Sequence, residues 1–437
     1  MKIKFTQVSL GFMLLAASSS LSAQADPASG SGSGSMIAPA PVTGEGYSLD
    51  FASEQPRTNT LRGGVDIGAA YGNGVAPSGA SDVSYQVSPN ISFNQTRSRF
   101  SWDLSYSPGF TFYQKYSALN QSNQNVASKF SYRLSPHVTF SADESFTKSV
   151  GGYLQACQNL STSCSGGIQS PNNSILAPNT DTITDASSAR LTYQFSPGGM
   201  VGLSGSFSEL SYPHQSQVPG LNNSNSAGGS AFYTHRISGK HYIGATYEYQ
   251  KYLNHPDGLA TLAQSVMLFY TFYIQRSISF SIFGGPQYSD SYGPLPIPTI
   301  RSWSPGGGAS LNWQGQHNSL IGSYSRKISD GGGLQGAVSY NGVDASIRHQ
   351  FAAALSGTIG ADYSVNKVLD AGAIDNTSGH SISGTATLQR QLGQHFNLMA
   401  GYLRLHQSYD IQAINTVPNR NRVWVSIGYQ FQRSLGR

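Results

Sequence analysis

A two-residue alternation of apolar and polar side chains runs through most of this chain, and it constrains the fold more than any other feature. In residues 100–113 (FSWDLSYSPGFTFY), every even position from Phe100 to Phe112 is a large apolar residue or proline, with Ser, Asp, Gly or Thr between them. Because side chains of a β-strand point alternately to its two faces, this stretch has one apolar and one polar face. The apolar face must lie against a protein core or against lipid.

The same alternation recurs along the chain and predicts about eighteen β-strands, with about sixteen as the alternative. No amphipathic helix is predicted. The predicted strands are 61–72, 82–95, 98–113, 124–135, 137–149, 182–196, 199–212, 227–238, 241–253, 261–276, 278–290, 299–314, 318–329, 334–351, 353–366, 379–392, 396–409 and 420–432.

Several of these segments depart from clean alternation. Residues 266–274 and 396–405 are apolar on both faces, and residues 336–351 change their apolar face near Asn341 and Gly342. A change of face within a strand predicts a β-bulge. Pro108 lacks the backbone N–H that a strand ladder uses, so a second bulge is predicted at 107–109.

The connections alternate between short and long. Short ones include 135–137, 196–199, 238–240, 315–317 and 392–395, and the longest link is 150–181. The Gly-rich stretches 304–308 and 330–333 precede strands rather than helices, so they are interpreted as turns and not as phosphate-binding loops. Each predicted hairpin is therefore tight at one end and loose at the other.

The composition favours lipid over a protein core as the partner of the apolar face. Charged residues make up 11 % of the 437-residue chain, against about 25 % in an ordinary soluble domain. Strands of about twelve residues exceed the usual five or six of globular proteins, but they suit a tilted membrane crossing. The formal charge of +5, with no basic block, gives no support for nucleic acid as a partner.

The N-terminus is typical of a secretory signal peptide. Lys2 and Lys4 precede an apolar run from Val8 to Ala17, and Ala23-Gln24-Ala25 forms a cleavage pattern. We therefore predict four regions: a signal peptide (1–25), a flexible Gly/Ser/Pro-rich periplasmic linker (26–60), an all-β, antiparallel up-and-down transmembrane barrel (61–432) and a short C-terminal extension (433–437).

Together with the signal peptide, the final alternating segment VWVSIGYQF (423–431) makes the chain resemble bacterial outer-membrane β-barrel proteins of the porin-like type. The resemblance covers about 61–432 at the level of architecture, and it departs from the usual pattern because QRSLGR follows Phe431. It implies export to the bacterial outer membrane, insertion by the barrel-assembly machinery and contact with outer-membrane lipid.

A barrel in lipid should carry aromatic side chains beside its short turns, at the periplasmic interface. The alternation assigns such a girdle to Phe93, Phe100, Trp102, Tyr132, Tyr193, Phe195, Tyr242, Trp313, Phe351, Phe396, Tyr429 and Phe431. Glu144 and Glu209 also fall on the lipid side, and we expect both above the apolar band, where an acid costs little.

The predicted lumen has a wall rich in Ser, Thr, Asn, Gln and Gly, with few charges. By alternation the pore-lining charged residues are Arg99, Asp103, Lys129, Arg133, Asp143, Arg190, Asp362 and Arg422. They could form a weak electrostatic filter or pair with one another across the wall. The two cysteines, Cys157 and Cys164, are predicted to close a small disulfide loop in an exported protein.

No catalytic motif accompanies this pattern. The chain has no G-x-S-x-G, no H-E-x-x-H and no Cys/His constellation, and we expect no enzyme activity, cofactor or metal. Six histidines lie near predicted short turns, where a metal-binding or pH-sensing rim is the alternative to solvated side chains. The sequence thus favours a channel or export barrel for small hydrophilic solutes or glycan. The alternatives are a structural barrel that binds partners through its long loops and, last, a membrane hydrolase.

Overall fold

The computed structural model describes residues 58–73, 79–150, 180–215, 220–275, 277–294, 299–369, 378–409 and 419–435. The predicted signal peptide, the linker up to residue 57 and the pair Cys157 and Cys164 lie outside the described residues. The described chain is almost entirely β-structure, and no helix within it is long and apolar enough to cross a bilayer.

The chain forms 18 strands, the third of which has two parts. In chain order they are β1 (Thr58–Gly72), β2 (Asp82–Thr96), β3a (Phe100–Tyr106), β3b (Gly109–Tyr113), β4 (Gln121–Arg133), β5 (Val138–Val150), β6 (Asp181–Ser196), β7 (Gly199–Ser211), β8 (Asn223–Arg236), β9 (His241–His255), β10 (Ala260–Gln275), β11 (Ile278–Tyr292), β12 (Ile300–Gln314), β13 (Asn318–Ser329), β14 (Val338–Ala352), β15 (Leu355–Val368), β16 (Gly379–Leu392), β17 (Phe396–Tyr409) and β18 (Asn419–Ser434).

Each strand pairs antiparallel with its neighbours in the chain, and β1 also pairs with β18 from Thr60↔Ser434 to Gly72↔Arg422. This last pairing closes the sheet into a ring, in which β12 pairs with β13 only from Gly307↔Arg326 to Gln314↔Ser319. Closure is what a sheet needs in hydrocarbon, where no water can satisfy a free edge. The predicted fold, a closed antiparallel barrel of about eighteen strands, is confirmed.

The outer surface carries the apolar half of the alternation. Exposed outward side chains include Ile67, Leu203, Leu268, Ile359 and Val423, each more than half exposed. The strands meet in short turns at one end of the barrel and in longer connections at the other. We name these the short-turn end and the long-loop end.

The predicted bulge at 107–109 is wrong. The strand ladder is interrupted at Ser107 and Pro108, but the register continues unchanged from Ile91↔Tyr106 to Val87↔Phe110. Ser107 still donates its N–H to Asn125 O (2.8 Å), whereas Pro108 has no N–H to donate. The chain thus omits hydrogen bonds at the proline without inserting a residue.

The predicted bulge at Asn341 and Gly342 is also wrong. The pairing of β14 with β13 keeps one register from Asn318↔His349 to Ser329↔Val338. The apolar face changes there because Val338 is fully buried inside the barrel, while Val343 and Ile347 are exposed on its outside. The strand is regular, and its inward side chains change from apolar at Val338 to polar at Asp344 and Arg348.

Candidate functional site

The connection between β13 and β14, residues 330–337 (DGGGLQGA), turns into the barrel at the long-loop end; we name it the inward loop. Four of its glycines have positive φ angles: Gly331 (77°), Gly332 (60°), Gly333 (104°) and Gly336 (85°). Side chains disfavour this backbone region, so glycine permits the tight fold. The sequence interpretation of 330–333 as a turn is correct locally, but it did not foresee the direction of the loop. Residues 304–308, also interpreted as a turn, lie inside β12.

Hydrogen bonds hold the inward loop against residues that follow β7 and that belong to β9. Tyr212 donates its hydroxyl to Gly332 O (3.3 Å), and Asn222 donates its N–H to Gly333 O (2.8 Å). Asn254 donates its amide to Leu334 O (2.9 Å) from a side chain that is 1 % exposed. Because these strands are several positions away from β13 around the barrel, the loop must cross the lumen to reach them.

An apolar cluster completes this crossing. Leu334, at the tip of the inward loop, is fully buried among side chains from both sides of the barrel. The members of this mouth cluster are Leu210, Tyr212, Leu221, Leu334, Val338, Val368 and Tyr409. Leu210 lies on β7 and Tyr409 on β17, which stand almost opposite each other in the ring of 18 strands. The mouth cluster therefore spans the lumen and narrows its long-loop end.

The inward side chains beneath the mouth cluster are small, polar and buried. Asn254, Asn366 and Gln407 are at most 1 % exposed. Neighbouring hydroxyls pair across the strands here, for example Thr261 with Ser291 (2.9 Å) and Ser364 with Ser381 (2.8 Å). We name the long-loop half of β8–β17 the covered wall.

The wall formed by β3–β6, which we name the open wall, carries charges instead. Asp103, Lys129 and Asp143 are direct cross-strand partners at inward positions, and all three are exposed. Arg190 follows on β6, diagonal to Asp143. The charges alternate in sign along this row; whether they pair or act as a filter stays a prediction. Opposite charges on adjacent strands stabilise one another only modestly when solvated.

The other predicted pore-lining residues are spread around the barrel. Arg133, Asp362 and Arg422 hold inward positions on β4, β15 and β18. Arg99 does not: it lies exposed in the short turn 97–99, where its carbonyl accepts the N–H of Arg133 (2.6 Å). The strand begins two residues later than predicted, at Phe100, which leaves Arg99 off the wall.

The structure brings together two carboxylates that the sequence analysis did not pair. Asp344 on β14 is the direct cross-strand partner of Asp362 on β15. Ser323 donates to Asp344 (2.5 Å) and Ser383 donates to Asp362 (2.7 Å). The alternation within each strand could have marked Asp344 as inward, but the pairing required the register between strands. Further inward charged residues that were missed are Arg62, Asp66, Glu248, Arg348 and Arg420.

The assignment of Tyr242 to the lipid-facing girdle is wrong. Tyr242 is 2 % exposed and packs inside the barrel with Met200, Phe232 and Tyr273. Its ring meets that of Tyr273 edge-on, with centroids 5.7 Å apart, and the Arg236 guanidinium lies 5.9 Å from its centroid. Tyr273 of this group, together with Met267 and Phe269 in a second buried cluster with Phe283, makes residues 266–274 apolar on both faces.

The remaining girdle residues lie beside the short turns at outward positions of their strands. Among them Tyr193, Phe195, Phe351 and Phe396 are nearly half exposed or more. Those at outward positions are Phe93, Phe100, Trp102, Tyr132, Tyr193, Phe195, Trp313, Phe351, Phe396, Tyr429 and Phe431.

The two outward acids and the turn histidines have identifiable neighbours. Glu209 is the cross-strand partner of Asp185, which also interacts with Glu144, so three acids share one outward patch. The depth of Glu144 and Glu209 in the bilayer stays a prediction. His241 contacts the Tyr270 hydroxyl (2.6 Å) and His395 the Gln430 carbonyl (2.9 Å). Within the described residues no three His, Cys, Asp or Glu side chains form a metal-binding group.

A closed barrel of 18 long antiparallel strands, apolar outside and polar over much of its inside, has the architecture of outer-membrane β-barrel proteins. No protein-family model matches the chain, and no curated protein matches it. Solved structures are similar to this chain in barrel architecture only.

Three solved barrels illustrate the similarity. The ferric citrate transporter FecA is 12 % identical (TM-score 0.41, 83 % of this chain and 61 % of that one), so this chain spans about three fifths of FecA. Acinetobacter baumannii OccAB4 is 9 % identical (TM-score 0.45, 87 % and 100 %). Pseudomonas aeruginosa OccK2 is 10 % identical (TM-score 0.43, 86 % and 99 %). Similarity at this level assigns no solute.

Proposed function

We propose that this protein is an outer-membrane channel that passes small hydrophilic solutes along the open wall of its lumen. The observation that carries the proposal is the contrast between the covered wall and the open wall. The mouth cluster spans the long-loop end from β7 to β17, while Asp103, Lys129 and Asp143, in the short-turn half of β3–β5, stay exposed on the inward face. The path that remains is narrowed, polar and off-centre.

The barrel size supports an aqueous path. Barrels of sixteen to eighteen strands enclose a lumen wider than their own side chains can fill, and an inward loop is one way to narrow it. A row of solvated charges with alternating sign suits uncharged or zwitterionic solutes, because no net field of one sign opposes their entry. The narrowed mouth also disfavours a long glycan chain, which was the export alternative in the sequence analysis.

Export to the outer membrane belongs to the same proposal. The signal-peptide pattern in residues 1–25 and the closed, apolar-surfaced barrel support it. The alternative role in surface binding centres on residues 151–179, which lie outside the described residues. No described contact favours that role over conduction.

Single-channel recording tests the proposal directly. The refolded full barrel is added to planar bilayers in KCl, and proteoliposome swelling is measured with sugars of increasing size. We expect stepwise ion conductance, and swelling with monosaccharides that stops for longer oligosaccharides. A barrel that migrates as folded on unheated gels, yet neither conducts ions nor admits any sugar, would exclude the channel function.

A further inference from the structure

A groove crosses the outer surface of β14–β17, in the half of these strands nearer the long-loop end. It has a volume of about 770 Å³. Its lining includes the outward residues Val343, Tyr363, Ile382, Gly384, Arg404 and His406, and also Asp362 and Ser383, whose side chains hydrogen-bond to each other at inward positions. This size falls in the range of small-molecule binding sites. The groove lies outside the lumen, so it is separate from the proposed solute path.

The shape of the groove follows from two neighbouring rows of the sheet. Ala345, Ala361 and Gly384 are successive cross-strand partners and form a low floor of small residues. In the next row, Val343, Tyr363 and Ile382 are also cross-strand partners, and each is nearly half exposed. Large side chains beside a row of small ones leave an apolar channel on the barrel surface. A groove with a small-residue floor and apolar side chains beside it suits a flexible hydrocarbon chain better than a flat protein surface.

A cation stands at the end of this floor. Arg404 is outward and exposed, and its cross-strand partners are Gly384 and Asn421, neither of which carries a charge. His406, the next outward residue on β17, contacts Asn419 (2.9 Å). The outward Arg301 differs, because it forms an ion pair with Asp290 (3.4 Å). Arg404 thus presents a guanidinium, with no acid as its direct cross-strand partner, in the half of the strand nearer the long-loop end.

We propose that this groove binds a phosphate-bearing acyl lipid of the surrounding leaflet, with one acyl chain on the Ala345–Ala361–Gly384 floor and a phosphate against Arg404. A guanidinium donates two parallel hydrogen bonds to phosphate oxygens, which fixes both charge and orientation. An anionic headgroup also supplies the counter-charge that the sheet does not. The proposal does not depend on whether the barrel conducts.

Lipid retention by the purified full-length barrel tests the headgroup contact. The barrel, in a neutral detergent, is titrated with diphosphorylated lipid A, with dephosphorylated lipid A and with phosphatidylcholine, and bound lipid is counted by native mass spectrometry. We expect tight retention of diphosphorylated lipid A alone, because dephosphorylated lipid A has no phosphate and the phosphate of phosphatidylcholine is neutralised by its own choline. Arg404→Gln should weaken it about tenfold, whereas the ion-paired control Arg301→Gln should not. Equal affinities of the two variants, or equal retention of all three lipids, would overturn the proposal.

A second variant tests the floor without removing a charge. A Cβ built on Gly384 meets no atom within 4 Å, so Gly384→Phe fills the groove without a backbone clash. The control Gly205→Phe adds the same ring at an outward position of β7, where the nearest atom is 3.8 Å from the Cβ. We expect Gly384→Phe alone to lose lipid retention, with conductance unchanged. Retention by Gly384→Phe at the level of the control would contradict the acyl-chain assignment.

Discussion

The open wall and the covered wall face each other across one lumen, although both derive from the same two-residue alternation. On the open wall Asp103, Lys129 and Asp143 are exposed, whereas on the covered wall Asn366 and Gln407 are fully buried. The difference comes from the inward loop, which extends from β13–β14 and covers one side. A strand sequence sets which side chains face inward, and a loop from elsewhere determines whether a solute can reach them.

The two walls also use their polar groups differently. Hydroxyls of the covered wall pair with each other, as Ser364 does with Ser381 (2.8 Å). Buried polar groups need such partners, because an unsatisfied one costs about 1–3 kcal/mol. The exposed charges of the open wall keep their hydration and can interact with a passing solute. Ion selectivity should therefore depend on the open wall, and conductance should depend on the inward loop that lies over the covered wall.

Removal of the inward loop should have the largest effect, because it removes the difference between the walls. We replace residues 331–336 with a two-residue Asn-Gly turn, which suits a tight hairpin. Conductance should rise roughly twofold or more, since the open cross-section grows. Single-channel recording in KCl measures this rise.

Gly333→Ala is a milder form of the same change. Its φ angle of 104° disfavours a side chain, and the added Cβ would collide with the Tyr212 hydroxyl. Gly205→Ala, on a regular strand with space for a Cβ, is the matched control. We expect a larger single-channel conductance and more current noise for Gly333→Ala, and no change for Gly205→Ala. A loop replacement that leaves conductance unchanged would show that the mouth cluster does not limit the path.

The sequence predicted the outer face of the barrel better than the inner one. Lipid imposes one requirement on every strand, so the alternation that puts Ile359 or Val423 outside can be identified strand by strand. The inside has no uniform solvent. Tyr242 was placed in the girdle because it is aromatic and beside a short turn, but its neighbours Met200 and Tyr273 form an apolar site inside.

The inward loop shows the same limit more clearly. Its glycines predict a turn, and no local pattern indicates that Leu334 will reach Leu210 and Tyr409 on opposite sides of the barrel. Such contacts depend on closure of the whole ring. Pro108 is a related case: a proline predicts a missing hydrogen bond, but only the neighbouring strands determine whether a bulge accompanies it.

Substitutions of inward charged residues should have an intermediate effect, and they should show which wall the permeating ions follow. Lys129→Gln leaves Asp103 and Asp143 on the open wall, so the cation-to-anion permeability ratio should rise roughly twofold. Asp143→Asn should lower it by a similar factor. Reversal potentials in a KCl gradient measure both changes.

The control is Asp362→Asn on the far side of the lumen. It removes one carboxylate of the Asp344–Asp362 pair, whose neighbour Ser383 donates a hydrogen bond of 2.7 Å. We expect a smaller change in permeability ratio than for Asp143→Asn. An equal or larger change would place the main ion path along β14 and β15 instead of the open wall.

The smallest expected effect concerns Tyr212, which follows β7 and holds the inward loop. Burial raises the pKa of its hydroxyl above the ordinary value of about 10, so the neutral form donates to Gly332 O throughout the physiological range. The sign follows from linkage: the folded state keeps this proton more tightly, so its contribution to stability is present below pH about 10 and is lost as the pH rises further.

Tyr212→Phe should lower the free energy of unfolding by about 0.5–1.5 kcal/mol at pH 7. Because the variant has no hydroxyl to ionise, the difference in free energy of unfolding between the two proteins should shrink at alkaline pH. Urea titration, with the fraction of folded barrel measured on unheated gels, gives this difference at each pH. A constant difference from pH 7 to pH 11 would show that the Tyr212 hydroxyl does not hold the loop.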